Sequence, residues 1–273
     1  MKSYKIGIIG TGNMASAIIS GILSSGFLKN EEIIIFDIDL EKTNKLSNLY
    51  NIEISNNISD IFYLSNYVLL SIKPQNLTDI IPVIKLSYNA SNNIIISILA
   101  GIPTYYFEKV LGGKPKIIRV MPNSPVLVKK GLSAISTGKY TKRTDLKFVI
   151  DLFNCVGTTI LIEERFQNLV TSLSGSGPAY FYLFCKHLID FGVENGLPFE
   201  ISKKMVIDTF IGSGEIMNLG EDSLDSLIKK VASKGGTTEK ALESFEKNKF
   251  KLIVNEALKS AFQKACEIEK SFS

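Results

Sequence analysis

The feature that most restricts this chain is a strand-like run, YKIGIIG (4–10), that passes directly into GTGNMA and then into a helical pattern. Gly10, Gly12 and Ala15 form G-x-G-x-x-A at that junction. The first glycine permits a tight turn, the second lets backbone approach a pyrophosphate, and the alanine lets helix and strand pack closely. The start of the helix adds N–H groups and positive potential. The pattern is weak alone and gains force from its setting, a strand before it, a helix after it and a second strand run, IIIFD (33–37), ending in Asp37. A carboxylate at that point can accept hydrogen bonds from an adenosine ribose. A solvated Asp at a strand end is the plain alternative, and Asp39 stands close enough to serve either role.

Further runs at 67–72, 94–99, 116–121, 132–137 and 158–163 alternate with helix-sized segments. Continuous apolar runs of this length imply a buried, mostly parallel sheet with helices on both faces. Whether the last two runs pair antiparallel at an edge is left open. After Glu164 the strand runs stop, and helical patterns follow at 179–196, 200–217, 222–232, 238–248 and 251–270. The expected fold is therefore α/β, a Rossmann-like sheet domain over residues 1–164 followed by an all-helical domain over residues 165–273. The helix AYFYLFCKHLIDFG is apolar nearly all round, which calls for burial on every side. A small helical domain offers little room for that, and a second subunit would supply it.

Bulk properties exclude more than they suggest. Net charge is only +4, with no basic run longer than two residues, so neither nucleic acid nor a membrane surface is indicated. The three cysteines, Cys155, Cys185 and Cys266, are far apart and show no CxxC spacing. No disulfide framework, no metal site and a reducing, cytoplasmic compartment are the expectations. The opening residues lack the length of a signal peptide, and no apolar stretch is long enough to span a bilayer.

Three successive strand ends carry Pro, Gly and small residues: SIKPQ (71–75), ILAGI (98–102) and RVMPNSP (119–125). In an open α/β sheet ligands sit beyond such ends, and Lys73 and Asn123 are the polar groups there. LSGSGPAY (173–180) opens the long apolar helix; Ser174 or Ser176 can cap it, but capping does not explain its paired glycines. SKGGTTEKAL (233–242) breaks the helical half with two glycines and two threonines. A helix beginning at about Thr238 would present the N–H groups of Gly235, Gly236 and Thr237 as an anion site, with hydroxyls from Ser233 and Thr238. Thr237 as a simple N-cap is the alternative. His187 lies within the apolar helix and reads as a satisfied structural histidine.

GTGNMASAI, SIKPQ, RVMPNSP, LSGSGPAY and VASKGGTTEKAL stand in the order and spacing of pyrroline-5-carboxylate reductases, which this chain resembles along essentially its whole length. The resemblance implies hydride transfer from NADPH or NADH to the cyclic imine 1-pyrroline-5-carboxylate, giving L-proline, in a homodimer or larger homo-oligomer. It places the substrate at Ser174, Ser233, Gly235, Gly236, Thr237 and Thr238, with the Thr238 hydroxyl on the ring nitrogen as the catalytic contact. The cofactor set expected with it is Gly10, Thr11, Gly12, Asn13, Met14, Ala15, Asp37, Asn57, Ser71, Lys73, Pro74, Ala100, Gly101 and Asn123. Two departures stand out: Lys234 where the family usually has Pro, and Lys230 where it usually has Asp. The acidic turn after the second strand, with Asp37, Asp39 and Glu41 ahead of Lys42, favours NADH at least as much as NADPH. A 3-hydroxyacid dehydrogenase of the 6-phosphogluconate dehydrogenase type is similar in architecture, but Lys186 comes too late in the helix for that class's lysine. A nucleotide-sensing protein without turnover is the third reading.

Overall fold

The computed structural model describes residues 3–272. Its first half alternates strands and helices: β1 (Tyr4–Ile9), α1 (Asn13–Ser24), β2 (Ile33–Phe36), α2 (Leu40–Tyr50), β3 (Glu53–Ile54), α3 (Ile58–Leu64), β4 (Ser65–Leu70), α4 (Leu77–Ser87), β5 (Ile94–Ser97), α5 (Thr104–Leu111), β6 (Ile117–Met121), β7 (Gly131–Thr137), α6 (Arg143–Asn154) and β8 (Gly157–Leu161). Helices follow: α7 (Gln167–Val170), a π-helical turn (Thr171–Gly175), α8 (Gly177–Glu194), α9 (Phe199–Leu219), α10 (Leu224–Val231), α11 (Thr237–Lys247) and α12 (Phe250–Lys270).

Among the described residues the strands form one eight-stranded sheet in the order β3-β2-β1-β4-β5-β6-β7-β8. β1 pairs in parallel with both β2 and β4, so the connection reverses direction beside it. β7 runs antiparallel to β6, with Met121 opposite Ala134. β8 runs parallel to β7, so the last two strands pair parallel to each other. The two-residue strand β3 is too short to show as an apolar run in the sequence.

Alternation along the strands divides the core into two layers. Ile6, Ile8, Ile33, Ile35, Leu69 and Ile96 pack with Ile18, Ile19 and Ile22 of α1 and with Val149, Leu152 and Phe153 of α6. Ile9, Ile34, Val68, Leu70, Ile95 and Ile117 face Ile61 and Phe62 of α3, Ile84 of α4 and Phe107 of α5. Each such fully buried side chain contributes about 1.5–3 kcal/mol over its exposed state.

By contact the chain divides into a unit running to Ser176 and resuming at Ala261, and a second unit, Gly177–Ser260. The expected 164/165 division falls just beyond the end of β8. The first unit is tied by a buried network. Arg119, only 2% exposed on β6, donates to Glu164 Oε1 at 3.2 Å and to Asn168 Oδ1 at 3.4 Å. Glu164 in turn caps α5, accepting from the Thr104 N–H at 2.9 Å and its hydroxyl at 2.7 Å. Asn168 also donates to Glu269 near the end of α12.

Within the second unit α8 and α9 pack as a hairpin in which buried Ser202 donates to the Ile189 carbonyl at 2.9 Å. Much of α8 stays uncovered by its own chain; Phe181, Tyr182, Leu183 and Phe191 are all more than half exposed. His187, expected to be buried, is 69% exposed, because the surface around it has no intrachain cover. Among the described residues no helix is long and apolar enough to cross a membrane.

Removing Glu164 as Glu164→Ala leaves the Arg119 guanidinium buried without its counter-ion. The expected outcome is a loss of about 3 kcal/mol in urea unfolding. The double change Arg119→Met with Glu164→Leu is expected to cost less than the single one, since it removes the charge together with its partner.

Candidate active site

The turn after β1 is built for a ligand rather than for packing. Gly10 has φ +95°, and a Cβ there would meet the Ser71 carbonyl oxygen at 2.5 Å, so β1 and β4 require glycine at this point. Gly12 differs. It is the N-cap of α1 with φ −70°, and a Cβ added to it meets nothing within 4 Å. The fold does not need glycine there; open ground in front of the helix does. The first-turn N–H groups of Asn13, Met14 and Ala15 have no intrahelical acceptor, and no acidic residue sits in that turn to repel an anion. Ala15 is fully buried against the core, as its place in the fingerprint requires. This cradle fits a pyrophosphate.

The turn after β2 is more committed than expected. Asp37 Oδ2 accepts from the Thr11 N–H at 2.7 Å and from its hydroxyl at 3.1 Å, while Oδ1 accepts from the Asp39 N–H at 3.0 Å. The carboxylate thus ties the two ligand-edge turns together before any ribose arrives. Asp39 caps α2, accepting from the Lys42 N–H at 3.3 Å and pairing with its ammonium at 2.7 Å. That bond to Lys42 holds the Asp39 carboxyl below the usual range and raises the lysine. Asn57 caps α3: its Oδ1 accepts from the Asp60 N–H at 2.8 Å and its Nδ2 donates to Asp60 Oδ2 at 2.8 Å. The amide thus starts a helix with one N–H and one lone pair, and it retains a second of each for a further partner.

Beyond the ends of β4, β5 and β6 lies a cleft of about 320 Å³ lined by Met14, Ser71, Ile72, Ile98, Met121, Pro122, Asn123, Ser124 and Gly175. Lys73 and Pro74, Ala100 and Gly101 are not among its lining residues. Lys73 is exposed ahead of a short 3₁₀ turn that begins at Pro74. Gly101 is buried, and a Cβ on it would meet Ile268 Cγ2 at 2.5 Å, so its glycine serves the approach of α12. Asn123 Oδ1 accepts from the Leu132 N–H at 2.9 Å and its Nδ2 donates to Ser174 Oγ at 3.1 Å. Ser174 sits in the π-helical turn, closed by the Ser176 N–H on the Thr171 carbonyl at 2.9 Å, and caps nothing. A Cβ at Gly175 would meet only the flexible end of Met121, at Cε 2.6 Å, and one at Gly177 would meet nothing within 4 Å, so packing within the chain does not require either glycine. Met121, Ile98 and Gly175 fall inside motifs that the sequence marked, RVMPNSP and ILAGI at the ligand edge and LSGSGPAY at the helix start, but were not among the expected site residues.

In the second unit the double-glycine loop is a tight turn. The Gly236 N–H donates to the Ser233 carbonyl at 2.9 Å, and Gly235 takes φ +75°. This is the position where a type II turn needs glycine and where Pro would suit the place of Lys234. The Gly235 N–H donates to Glu239 Oε2 at 2.7 Å. Two of the three expected anion-binding amides are thus engaged inside the loop. The helix α11 starts at Thr237, with Gly236 as N-cap in place of Thr237, so Thr237 and Thr238 themselves carry first-turn amides. Neither the Ser233 nor the Thr238 hydroxyl has a protein partner among the described residues. Lys230 pairs with Asp222 at 2.5 Å, which neutralises the cation that replaces the family's usual acid. This bond, with one from Ser226, lowers the Asp222 pKa. Lys186 pairs with Asp190 one turn along α8. Among the described residues no three His, Cys, Asp or Glu side chains stand together to hold a metal ion.

Sheet order, glycine turn and cleft define a dinucleotide-binding oxidoreductase unit of the Rossmann type. Residues 5–101 match the family described as NADP oxidoreductase, coenzyme F420-dependent, and residues 164–268 match pyrroline-5-carboxylate reductase dimerisation. The pyrroline-5-carboxylate reductase of Synechocystis is 33% identical over 98% of this chain and 99% of its own. That of Aquifex aeolicus is 34% identical over 96% of this chain and 97% of its own. The crystal structure of Plasmodium falciparum pyrroline carboxylate reductase with NADP bound superposes with a TM-score of 0.89, at 33% identity, over 98% of this chain and 99% of that one. The chain belongs to the pyrroline-5-carboxylate reductase family.

Because nothing in the fold fills the space at Gly12, Gly12→Ala is expected to keep unfolding stability within about 0.5 kcal/mol. Cofactor affinity is expected to fall at least about tenfold, since the methyl group stands where the pyrophosphate must approach. A thermal melt beside a cofactor titration checks both, and equal loss in the two would return Gly12 to the fold.

Proposed function

We infer that this chain reduces 1-pyrroline-5-carboxylate to L-proline with NADPH or NADH. The observation that carries the reading is the presence, in one chain of this family, of the open glycine cradle at α1 and the double-glycine turn that opens α11. When bound, the reduced nicotinamide supplies the hydride. The chain's own residues bind and orient. Gly10, Thr11, Gly12, Asn13, Met14 and Ala15 form the pyrophosphate cradle, and Asp37 holds its turn in place.

The first-turn amides of Thr237 and Thr238 take the substrate carboxylate at the positive end of α11. Gly235 and Gly236 shape the turn that presents them, and the Ser233 hydroxyl lies alongside. The Thr238 hydroxyl hydrogen-bonds the ring nitrogen, donating to the neutral imine and accepting from its N–H once the nitrogen is protonated. A protonated imine is already a good electrophile, so orientation rather than a strong base is what the site must provide. Residues 165–273 form the substrate-binding and self-association segment, and the exposed aromatic face of α8 supports a homo-oligomer. The hydroxyacid dehydrogenase reading is not favoured, since Lys186 is held in an ion pair on α8.

Thr238→Ala is expected to lower turnover with pyrroline-5-carboxylate by about 1–3 kcal/mol of transition-state stabilisation, with the cofactor dissociation constant nearly unchanged. Wild-type turnover in this variant removes Thr238 from the mechanism.

For cofactor choice, a 2′-phosphate at the end of β2 would meet Asp37, with Asp39 close by and Lys42 already paired. Like charges at about 4 Å near a surface repel by about 1–4 kcal/mol before screening. The kcat/KM ratio of NADH to NADPH is expected at or above unity, and to fall on Asp37→Ser. Both cofactors should bind more weakly in that variant, because Asp37 also anchors Thr11. A strong NADPH preference that the substitution leaves unmoved counts against a ribose role for Asp37.

A further inference from the structure

The pair Asn123–Ser174 is not needed for the chemistry above, yet it is held with unusual definition. The Leu132 N–H can only donate, so the Asn123 group facing it at 2.9 Å must be the carbonyl oxygen. The amide nitrogen therefore faces Ser174, and the serine oxygen accepts from it at 3.1 Å. A hydroxyl that accepts from Asn123 has its single proton left for another acceptor. Two neighbours on the same stretch hand theirs back to the helix: Thr171 donates to the Gln167 carbonyl at 2.9 Å and Ser172 to the Leu169 carbonyl at 2.8 Å. Ser174 has no such acceptor among the described residues. Its neighbours Asn123 and Gly175 line the cleft, whose other walls include Ile72, Ile98 and Met121. Ser174 is next in sequence to the lining residue Gly175 and bonded to the lining residue Asn123, and a donor beside a slot that mixes these apolar walls with Ser71 and Ser124 suits a flat ring bearing one carbonyl.

We propose that Ser174, oriented by Asn123, donates its hydroxyl proton to the carboxamide carbonyl of the nicotinamide and so fixes which face of the ring is presented. Asn123 is then a positioning residue that acts through Ser174, and Ser174 belongs to the cofactor and not to the substrate. The proposal rests on the dinucleotide-dependent reading given above.

Equilibrium titrations of the purified protein with NADH, its thionicotinamide analogue and ADP-ribose test it. Ser174→Ala is expected to raise the dissociation constant for NADH about five- to tenfold, the scale of one neutral hydrogen bond. ADP-ribose, which lacks the carboxamide, should bind as in the wild type. Sulfur is the weaker acceptor, so the wild type should prefer NADH over the thio analogue and Ser174→Ala should lose that preference. Asn123→Asp presents an acceptor to Ser174, turns its proton inward, and should match Ser174→Ala; the double variant should be no worse than either. An unchanged NADH constant in Ser174→Ala overturns the proposal, as does an equal weakening of ADP-ribose, which marks a structural defect. A wild-type protein that does not bind ADP-ribose overturns the dinucleotide reading and this proposal with it.

Discussion

The double pairing of β1 is the constraint on which the rest depends. Because β2 and β4 both lie parallel against it, the chain leaves the same edge on both sides, and a crevice opens where the connections part. The turn after β1 has to escape between its neighbours, which is why Gly10 meets the Ser71 carbonyl so closely. The same parting leaves the start of α1 facing open space. Apolar burial on both faces holds the strands in this order, and the Thr11–Asp37 bonds then hold the two turns at the crevice to one another.

Much of this was legible in the sequence because it rests on local periodicity. Apolar runs, a glycine fingerprint and a change of rhythm after Glu164 convey strand, turn and helix without reference to distant residues. The sequence pattern was silent where two remote segments decide the outcome. Nothing near Gly101 tells that Ile268 will lie against it. Strand direction at β7 was equally invisible, since an apolar run has no sign. The Asn57–Asp60 cap, by contrast, spans three residues and was a local signal that went unread.

The double-glycine loop was half legible. Its glycines and hydroxyls marked an anion site, but the partners of its amides were misassigned. Ser233 and Glu239 take the Gly236 and Gly235 amides, and the helix starts one residue sooner than expected. The site is consequently more of a helix end and less of a loop. The lysine at 230 looked disruptive in isolation and is ordinary in context, because Asp222 lies within reach.

The reversed strand β7 carries a consequence for how the crevice is furnished. Strands that end at the ligand edge deliver turns and helix starts there, whereas a strand that begins there arrives amide first. Continuing the Met121–Ala134 register sets Leu132 opposite Asn123, and the amide of Leu132 is the one that Asn123 reads. The connection from β6 to β7 is therefore a gauge rather than slack. Lengthening or trimming it would move the Leu132 N–H away from Asn123 and free the amide that faces Ser174 to turn over.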